Sequence, residues 1–341
     1  MTRQRTYITV SGCCLLGIAA LLYYYFFTGF STCEETSYVY IDNDDTTDSV
    51  YAKLTPYASK HGLTALTTLL RHTDYARHPT TGRYAVEPGD GVLEVFRRLR
   101  NRQQTPVMLT IPESRTTDIL AGRLSKKLML DSMTIAQSLR DSSFCRKWGE
   151  AYDTCNIMAL FVPNTYEVYW NLSLTALMER MVKEHAGFWN SERRQKAERQ
   201  GLTVAEVATL ASIIDEETAN NEEKPMIAGM YLNRLKKGMP LQADPTVKYA
   251  LKDFALRRIL NKHLTTDSPY NTYKNTGLPP GPIKIASIKG IDAVLNARQH
   301  NYLYMCAKED FSGTHNFAVT YGEHLKNAAH YTKALNERGI K

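Results

Sequence analysis

Residues 7–30 carry no charge, and no other stretch of the chain restricts its folding as much. An uncharged apolar run of about 20 residues or more is what a helix needs to cross a bilayer, where every backbone N–H and C=O must be satisfied within the segment itself. Arg3 and Arg5 precede the run, Tyr23, Tyr24, Tyr25, Phe26 and Phe27 crowd its far end, and Glu34 and Glu35 follow. Basic residues before the span and acids after it put the N-terminus in the cytoplasm and the bulk of the chain outside, with the aromatic rings at the far interface. No small-x-small cleavage site follows, so the run reads as a single-pass anchor over residues 7–30 with a cytoplasmic tail at 1–6, not as a removed leader. The expectation is an inner-membrane protein whose main body is extracytoplasmic, in the periplasm.

That main body is long enough for more than one core, and a chain of 341 residues with 43% hydrophobic and 23% charged residues is ordinary globular material. The net charge of +7 comes without a block of like charge or an RNA-type aromatic motif, which argues against nucleic acid and suits an acidic polymer or a membrane surface. Cys13 and Cys14 lie in the apolar run; Cys33, Cys145, Cys155 and Cys306 match no zinc spacing, and no cofactor is implied. Cys145 and Cys155 would close a short loop if they paired, which the sequence leaves undecided.

A weak repeat organises residues 31–130. Ile41, Val86 and Ile111 each end a β-like run, and thirteen residues later come Leu54, Leu99 and Leu124. Val50, Val95 and Leu120 stand four residues before those leucines, the spacing of one helical face. Turn residues lie between: Asn43-Asp44-Asp45, Pro88-Gly89-Asp90 and Pro112-Glu113-Ser114. Three strand–turn–helix units follow, a small α+β module of the binding or spacer kind, with a further helix near residues 64–71. Asp42, Asp44 and Asp48 lack the glycine and closing glutamate of a calcium loop, so a solvated turn is expected there. Residues 131–341 read as a second, helix-rich domain. It is interrupted at 160–167 by an apolar, aromatic turn that includes Tyr166, and it ends in a hairpin (302–307 and 314–319) and a closing helix at 322–338. In that helix Leu325, Ala328, Ala329 and Leu335 are expected inward. The fold class is α+β.

The chemistry concentrates between residues 203 and 249. Thr203 and Glu206 fit a capping box, and Leu210, Ile213, Ile214 and Glu217 share a face at 3, 4 and 7 spacing. Successive residues on a helix are about 100° apart, so Asp215, Glu216 and Glu217 point three different ways and only Glu217 follows the apolar stripe inward. A carboxyl desolvated there has a raised pKa, the property of a general acid near neutral pH. A solvated helix end with ion pairs remains the alternative at this point. Asn233 and Arg234 close the next helix; Gln242, Asp244, Thr246 and Tyr249 follow, then Asn271, Thr272 and Tyr273. Amides, hydroxyls and aromatic faces together are what a sugar polymer requires, and residues 277–282 form a stiff turn fit to fix a groove wall.

The stretches ASIIDEET (211–218), AGMYLNRLKKGMPLQADPTVKYAL (228–251) and YNTYKNTGLPPGPI (270–283) resemble the signature of the endolytic murein transglycosylases, the MltG/YceG-like family. FVPNTYEV (161–168), HNFAVTYGEH (315–324) and EPGDGVLEV, the last similar to the family's LysM-like module, extend the likeness over nearly the whole chain. The resemblance implies that Glu217, directly before threonine, is catalytic. It implies that Tyr166, Asn233, Arg234, Gln242, Asp244, Thr246, Tyr249, Asn271 and Tyr273 belong to the substrate-binding regions. Where the family usually reads E-K-E-T this chain has Asp215 and Glu216, and the lost lysine makes the field at Glu217 more negative; the family's aspartate in P-D-T-Y is Asn164 here. The activity implied is cleavage of the β-1,4 bond between N-acetylmuramic acid and N-acetylglucosamine in peptidoglycan strands, leaving 1,6-anhydro ends. The partners implied are glycan strands and, at the membrane, peptidoglycan synthases. The rival readings are a hydrolytic muramidase using Glu217 with Asp244, a catalytically silent peptidoglycan-binding anchor, and a metal enzyme built on His315, Glu323, His324 and His330, whose spacings put no two histidines on one helical face.

Overall fold

The computed structural model describes residues 8, 10–256 and 258–339 in full and residues 2–7 and 9 by backbone alone. Its first helix, α1 (Thr2–Phe26), carries Leu15, Leu16, Leu21 and Tyr23 each about two-thirds exposed. Among the described residues no helix is long and apolar enough to cross a membrane. The tail read at 1–6, with Arg3 and Arg5, lies outside the residues whose side chains are described. The far end of the uncharged run also differs from the expected span. The helix stops at Phe26, and Phe30 is fully buried, its backbone N–H donating to the Asp90 carbonyl at 2.8 Å. A ring with a place in the protein core and a bonded backbone has no reason to continue a lipid-facing helix.

The chain divides into two units. The first takes residues 1–109 together with 127–129 and 167–172. After α1 its elements are β1 (Ser37–Ile41), α2 (Thr47–Leu54), α3 (Lys60–Arg71), β2 (Gly82–Val86) and α4 (Val92–Arg100). β1 and β2 pair antiparallel, with Ser37 opposite Val86 and Ile41 opposite Gly82. Thr46 caps α2 by accepting from the Ser49 N–H, and Ser59 caps α3 by accepting from the Gly62 N–H. Val50, Leu54, Leu66, Leu70, Val95 and Leu99 fill the core with the inner residues of the strands. The turn after β1 is held by Lys53, which pairs with Asp42 and Asp45, and that after β2 by Arg98, which pairs with Asp90 and Glu87 around Gly89 at φ +80°. The first two strand–turn–helix repeats are therefore real packing units.

The second unit takes residues 110–126, 130–166 and 173–341. The chain crosses between the units within the short strands β3 (Val107–Thr110) and β4 (Thr165–Val168), and also on either side of residues 127–129 and after residue 172. Between the two strands come α5 (Thr117–Leu124), α6 (Ser132–Leu139) and α7 (Ser142–Arg146). The helix of the third repeat, α5, belongs here and not with the first two, because its Leu120, Ala121 and Leu124 are buried where it packs on α6. The remaining elements are α8 (Leu174–Phe188), α9 (Ser191–Arg199), α10 (Val204–Glu217), α11 (Lys224–Lys236), α12 (Asp244–Leu251), α13 (Asn261–Leu264), α14 (Ile288–Leu295), the antiparallel hairpin β5 (Tyr304–Ala307) and β6 (His315–Ala318), and α15 (Tyr321–Glu337). The whole is mixed α and β, helix-rich in this second unit.

α10 is the core of that unit. Thr203 and Glu206 form the expected capping box, and Val207, Leu210, Ala211, Ile213 and Ile214 are wholly buried against α11 and α14. Each large aliphatic side chain removed from water contributes roughly 1.5–3 kcal/mol, so this helix is fixed in axial rotation as well as in place. The stiff turn at 277–282 is not part of the lining of the pocket at Glu217. It runs behind α10, where Gly281 lies so close to the Cys155 carbonyl that no side chain fits, and the Ile283 N–H donates to Ser212 Oγ at 3.0 Å. Cys145 and Cys155 are not paired: both thiols are free, and the buried Cys145 Sγ faces the Leu139 carbonyl at 3.5 Å. Of the residues expected inward on α15, Ala328 and Leu335 are half-buried while Leu325 and Ala329 are exposed. His324 and Tyr331 turn inward, His324 stacking on Tyr304 and Tyr331 meeting Phe311, while Leu325 is half exposed, because aromatic contacts with the hairpin set the rotation.

Candidate active site

The three consecutive acids at the end of α10 do point three ways. Asp215 is buried and accepts from Lys224 Nζ at 2.6 Å, from the Ser287 N–H at 2.7 Å and from Ser287 Oγ at 2.8 Å. It thereby ties the start of α11 and the N-cap of α14 to the end of α10, and Gly290 leaves it room, since a Cβ there would stand 2.6 Å from its carboxylate. Glu216 pairs with Arg115 at 2.7 Å and with Lys284 at 3.4 Å. Only Glu217 turns into a pocket.

That pocket, of about 360 Å³, lies within the range of small-molecule sites. Besides Glu217 its walls are Met230, Tyr231 and Arg234 of α11, the segment Leu241, Gln242 and Asp244 entering α12, Tyr273, the hairpin residues Met305, Cys306, Ala307 and His315, and His324 of α15. α10 ends at Glu217 because Thr218 adopts an extended conformation (φ −145°, ψ 139°), which leaves the glutamate as the last helical side chain at the pocket wall. Tyr231 Oη donates to Glu217 Oε1 at 2.6 Å.

Burial raises the pKa of Glu217 to about 7; the Tyr231 hydrogen bond opposes that rise, the Asp244 charge adds to it, Lys248 opposes it and Glu216 adds to it. The same burial, with the Glu217 charge, drives the Tyr231 phenol well above its ordinary range, so it acts as a permanent donor. A carboxyl of this kind, with one oxygen fixed by a donor, can deliver a proton near neutral pH and take one back.

Of the residues singled out from the sequence, Glu217, Arg234, Gln242, Asp244 and Tyr273 meet in this pocket. Tyr273 Oη donates to Asp244 Oδ1 at 2.6 Å. Gln242 is exposed and held at φ +52°, a left-handed conformation uncommon for a side chain of its size. Arg234 is buried and bonds mostly to backbone: Nε donates to the Leu303 carbonyl at 2.6 Å and Nη1 to those of Pro240 and Leu241 at 3.1 and 2.8 Å, with a further Nη1 bond to Gln242 Oε1 at 3.3 Å. It staples the hairpin to the loop before α12 while presenting positive charge to the pocket.

The other candidates stand elsewhere. Asn233 donates to the carbonyls of His300 and Tyr302 at 2.7 and 3.1 Å. Thr246 Oγ1 lies 2.9 Å from Thr272 Oγ1 and donates to the Ala243 carbonyl, and Asn271 donates to the carbonyls of Leu264 and Thr266. These bonds brace the loop that presents Gln242, Asp244 and Tyr273. Tyr249 packs on Tyr270 with ring centroids 4.6 Å apart. Tyr166 is buried, its Oη donating to the Val162 carbonyl at 2.8 Å, and burial pushes its phenol up to about 12.

Sequence reasoning missed Tyr231, and it weighed His315 and His324 only as ligands of a rival metal site, not as walls of the Glu217 pocket. His315 receives two bonds' worth of fixing from one carboxylate: its N–H donates to Glu223 Oε1 at 2.6 Å and its Nδ1 lies 3.0 Å from Oε2. His324 is held below its ordinary pKa by burial and by Arg234, so it stays neutral, and its buried Nδ1 has no partner among the described residues. The stretch 315–324 was visible as a resemblance, but nothing in it assigned these rings a place.

The YceG-like family model matches residues 39–330. The chain is similar to the endolytic murein transglycosylase of Bacillus subtilis, 40% identical over 169 residues that make up 49% of this chain and 45% of the relative. It is likewise similar to the endolytic murein transglycosylase of Streptococcus pneumoniae, 28% identical over 261 residues, 68% of this chain and 46% of that one. The chain thus spans about half the length of the curated relatives it matches. The crystal structure of a YceG-like protein from Listeria monocytogenes has a TM-score of 0.57 to it at 27% identity, covering 86% of this chain and 99% of the other.

Proposed function

The chain belongs to the YceG-like family, and from that premise we propose that it is an endolytic lytic transglycosylase of peptidoglycan with Glu217 as its catalytic residue. The observation that carries this is Glu217 itself: a carboxyl with a pKa raised to about 7, one oxygen held by Tyr231, at the wall of a polar pocket. Neutral Glu217 donates its proton to the glycosidic oxygen between N-acetylmuramic acid and N-acetylglucosamine as the bond to C1 of the muramic sugar breaks. Positive charge developing at C1 is met by the substrate's own N-acetyl group. The carboxylate then takes the proton of the muramic C6 hydroxyl, whose oxygen closes on C1 to give the 1,6-anhydro ring. Glu217 ends protonated as it began, and no water enters. One carboxyl acting twice departs from the two-carboxylate glycosidases. Gln242, Asp244 and Tyr273 on one wall and the hairpin with His315 on the other supply the hydrogen-bonding groups that would hold the sugars.

A hydrolytic muramidase is the second reading, favoured by one observation: Asp244 lines the same pocket and offers a second carboxylate. In that case water, not the C6 hydroxyl, attacks C1.

The finer organisation belongs to the same proposal. α1, with its exposed apolar side chains, serves as the single-pass anchor, N-terminus in the cytoplasm and catalytic unit outside. The first unit, whose β1–α2–α3–β2 order puts two helices between paired strands, serves as a LysM-like glycan-binding module. Cleavage falls on nascent strands at the membrane, beside the synthases that make them.

Mass spectrometry of the muropeptides released from sacculi tests the reaction. The wild type is expected to yield anhydro-muramic ends, lighter than reducing ends by one water, and Glu217→Gln to yield none. Reducing ends would establish the muramidase, and sacculus binding without cleavage would establish an anchor.

A further inference from the structure

A cavity of about 710 Å³ opens in the first unit, walled by the stretch from Arg71 through Ala76 to Thr80 and by Arg100 and Arg102. Arg71, Arg77, Arg100 and Arg102 all line it, His72 and His78 stand with them, and Asp74 is the one acid in its lining. Among the described residues none of the four guanidinium groups pairs with a carboxylate; Arg100 lies over the Phe96 ring at 5.8 Å. Arg98, in the same helix as Arg100, shows the contrast, since it clasps both Asp90 and Glu87.

Arg71 and Arg100 close the last turns of α3 and α4, where the helix dipole favours a cation. Arg77 and Arg102 lie in the segments beyond and have no such reason. Arg102 is moreover held at φ +57°, a conformation that costs a branched or long side chain energy and persists only where something over-determines it. Four like charges converging on one cavity repel one another when it is empty and are neutralised together by a multivalent anion. Guanidinium forks match the oxygens of phosphate in pairs, which a lysine cluster would not.

The source of the phosphate follows from α1. Tyr25 Oη, one residue from the end of that helix, lies 3.3 Å from Thr68 Oγ1. Thr68 and Arg71 are about one helical turn apart on α3, roughly 5 Å along its axis. The arginine cavity thus begins about one turn from the end of an exposed apolar helix. We propose that it binds a phosphate group, that of an anionic lipid headgroup at the membrane surface the helix enters. The choice of a lipid rests on the reading of α1 as an anchor; the phosphate site does not.

The full chain in neutral detergent micelles is titrated calorimetrically with inorganic pyrophosphate and, separately, with phosphatidylglycerol doped into the same micelles. Saturable binding of the lipid at one site is expected, at least tenfold weaker in Arg71→Gln with Arg77→Gln and in Arg100→Gln with Arg102→Gln, and weaker at raised salt. These side chains are exposed, and melting curves check that the variants fold. Binding of both probes, lost in the variants, supports a site that reads the phosphate alone; binding of the lipid alone supports one that also reads its glycerol. Saturable binding of pyrophosphate without the lipid overturns the lipid assignment. Absence of saturable binding, or binding indifferent to the arginines, overturns the site. Micelles make the readout independent of whether α1 crosses a bilayer, which protease protection in vesicles tests by itself.

Discussion

Tyr231 and Glu217 are fourteen residues apart in sequence and 2.6 Å apart at Oη and Oε1, the phenol donating. The bond stabilises the carboxylate and so restrains the rise in pKa that burial imposes. It also fixes which oxygen of Glu217 faces the pocket. Removing it with Tyr231→Phe leaves the ring and takes away the donor. The protonated form of Glu217 is then favoured more strongly, and the pH above which kcat/KM for glycan cleavage falls is expected to rise by roughly one unit, in keeping with a hydrogen bond to a charged acceptor. A pH–rate profile of the variant checks this; an unchanged upper limb with only lower kcat would assign Tyr231 to orientation alone.

The raised pKa of Glu217 is also a statement about stability. Between about 4.5, its ordinary value, and about 7 the folded chain keeps a proton that the unfolded chain has released. The unfolded state binds fewer protons there, so stability falls as pH rises through that window and levels off above it. At about 1.4 kcal/mol per unit the loss is up to about 3 kcal/mol, less to the extent that water in the pocket reaches the carboxyl. Glu217→Gln cannot ionise and keeps an acceptor for Tyr231. Melting temperatures should therefore match the wild type near pH 4 and exceed it at pH 8, while cleavage drops by about 10²-fold or more. A variant no more stable than the wild type at pH 8 would contradict the buried acid.

The two acids before it should differ sharply in what their loss costs. Asp215 and Lys224 are nearly inaccessible, at 2% and 7% side-chain exposure, so Asp215→Ala strands a buried ammonium and leaves the Ser287 N–H without its partner. Breaking one side of such a pair costs about 3–5 kcal/mol. Glu216→Gln loosens pairs with Arg115 and Lys284 that water partly reaches, with an expected cost of about 1 kcal/mol or less. Denaturant midpoints of the two variants distinguish these cases, and equal losses would refute the division of labour along this turn.

What the sequence made legible follows from how local each signal is. The direction of Glu217 was set by helical spacing within one helix, so counting from Leu210 and Ile213 found it. The first two repeats were legible for the same reason, each strand and helix carrying its own apolar pattern. The third repeat has the same local pattern, yet α5 packs on α6, because a pattern tells which face is buried and not against what. Polar loop residues raised a different difficulty. Thr246 and Asn271 have the side chains of a sugar site, but buried backbone groups nearby needed partners, and composition does not tell a bond to ligand from a bond to backbone. Tyr231 was invisible in the middle of an apolar helix, since only tertiary packing brings its hydroxyl to Glu217. At the N-terminus, Phe30 extended an uncharged run whose last part belongs to the core of the first unit.

Cys306 gives direct access to the hairpin wall of the pocket. It lines the cavity, is partly exposed and is a free thiol, and burial raises its pKa so that it reacts slowly. A bulky maleimide attached there would fill part of the pocket that Glu217 lines. Alkylation is expected to abolish glycan cleavage in the wild type and to spare Cys306→Ser, although Cys13 and Cys14 are exposed and Cys33 and Cys155 partly accessible in both. A small methylthio cap on the same sulfur should cost far less activity than the bulky reagent. If Cys306→Ser is inactivated as fast as the wild type, the hairpin does not form a wall of the working site, and the pocket's substrate-binding face must be sought on the side of Gln242 and Tyr273 alone.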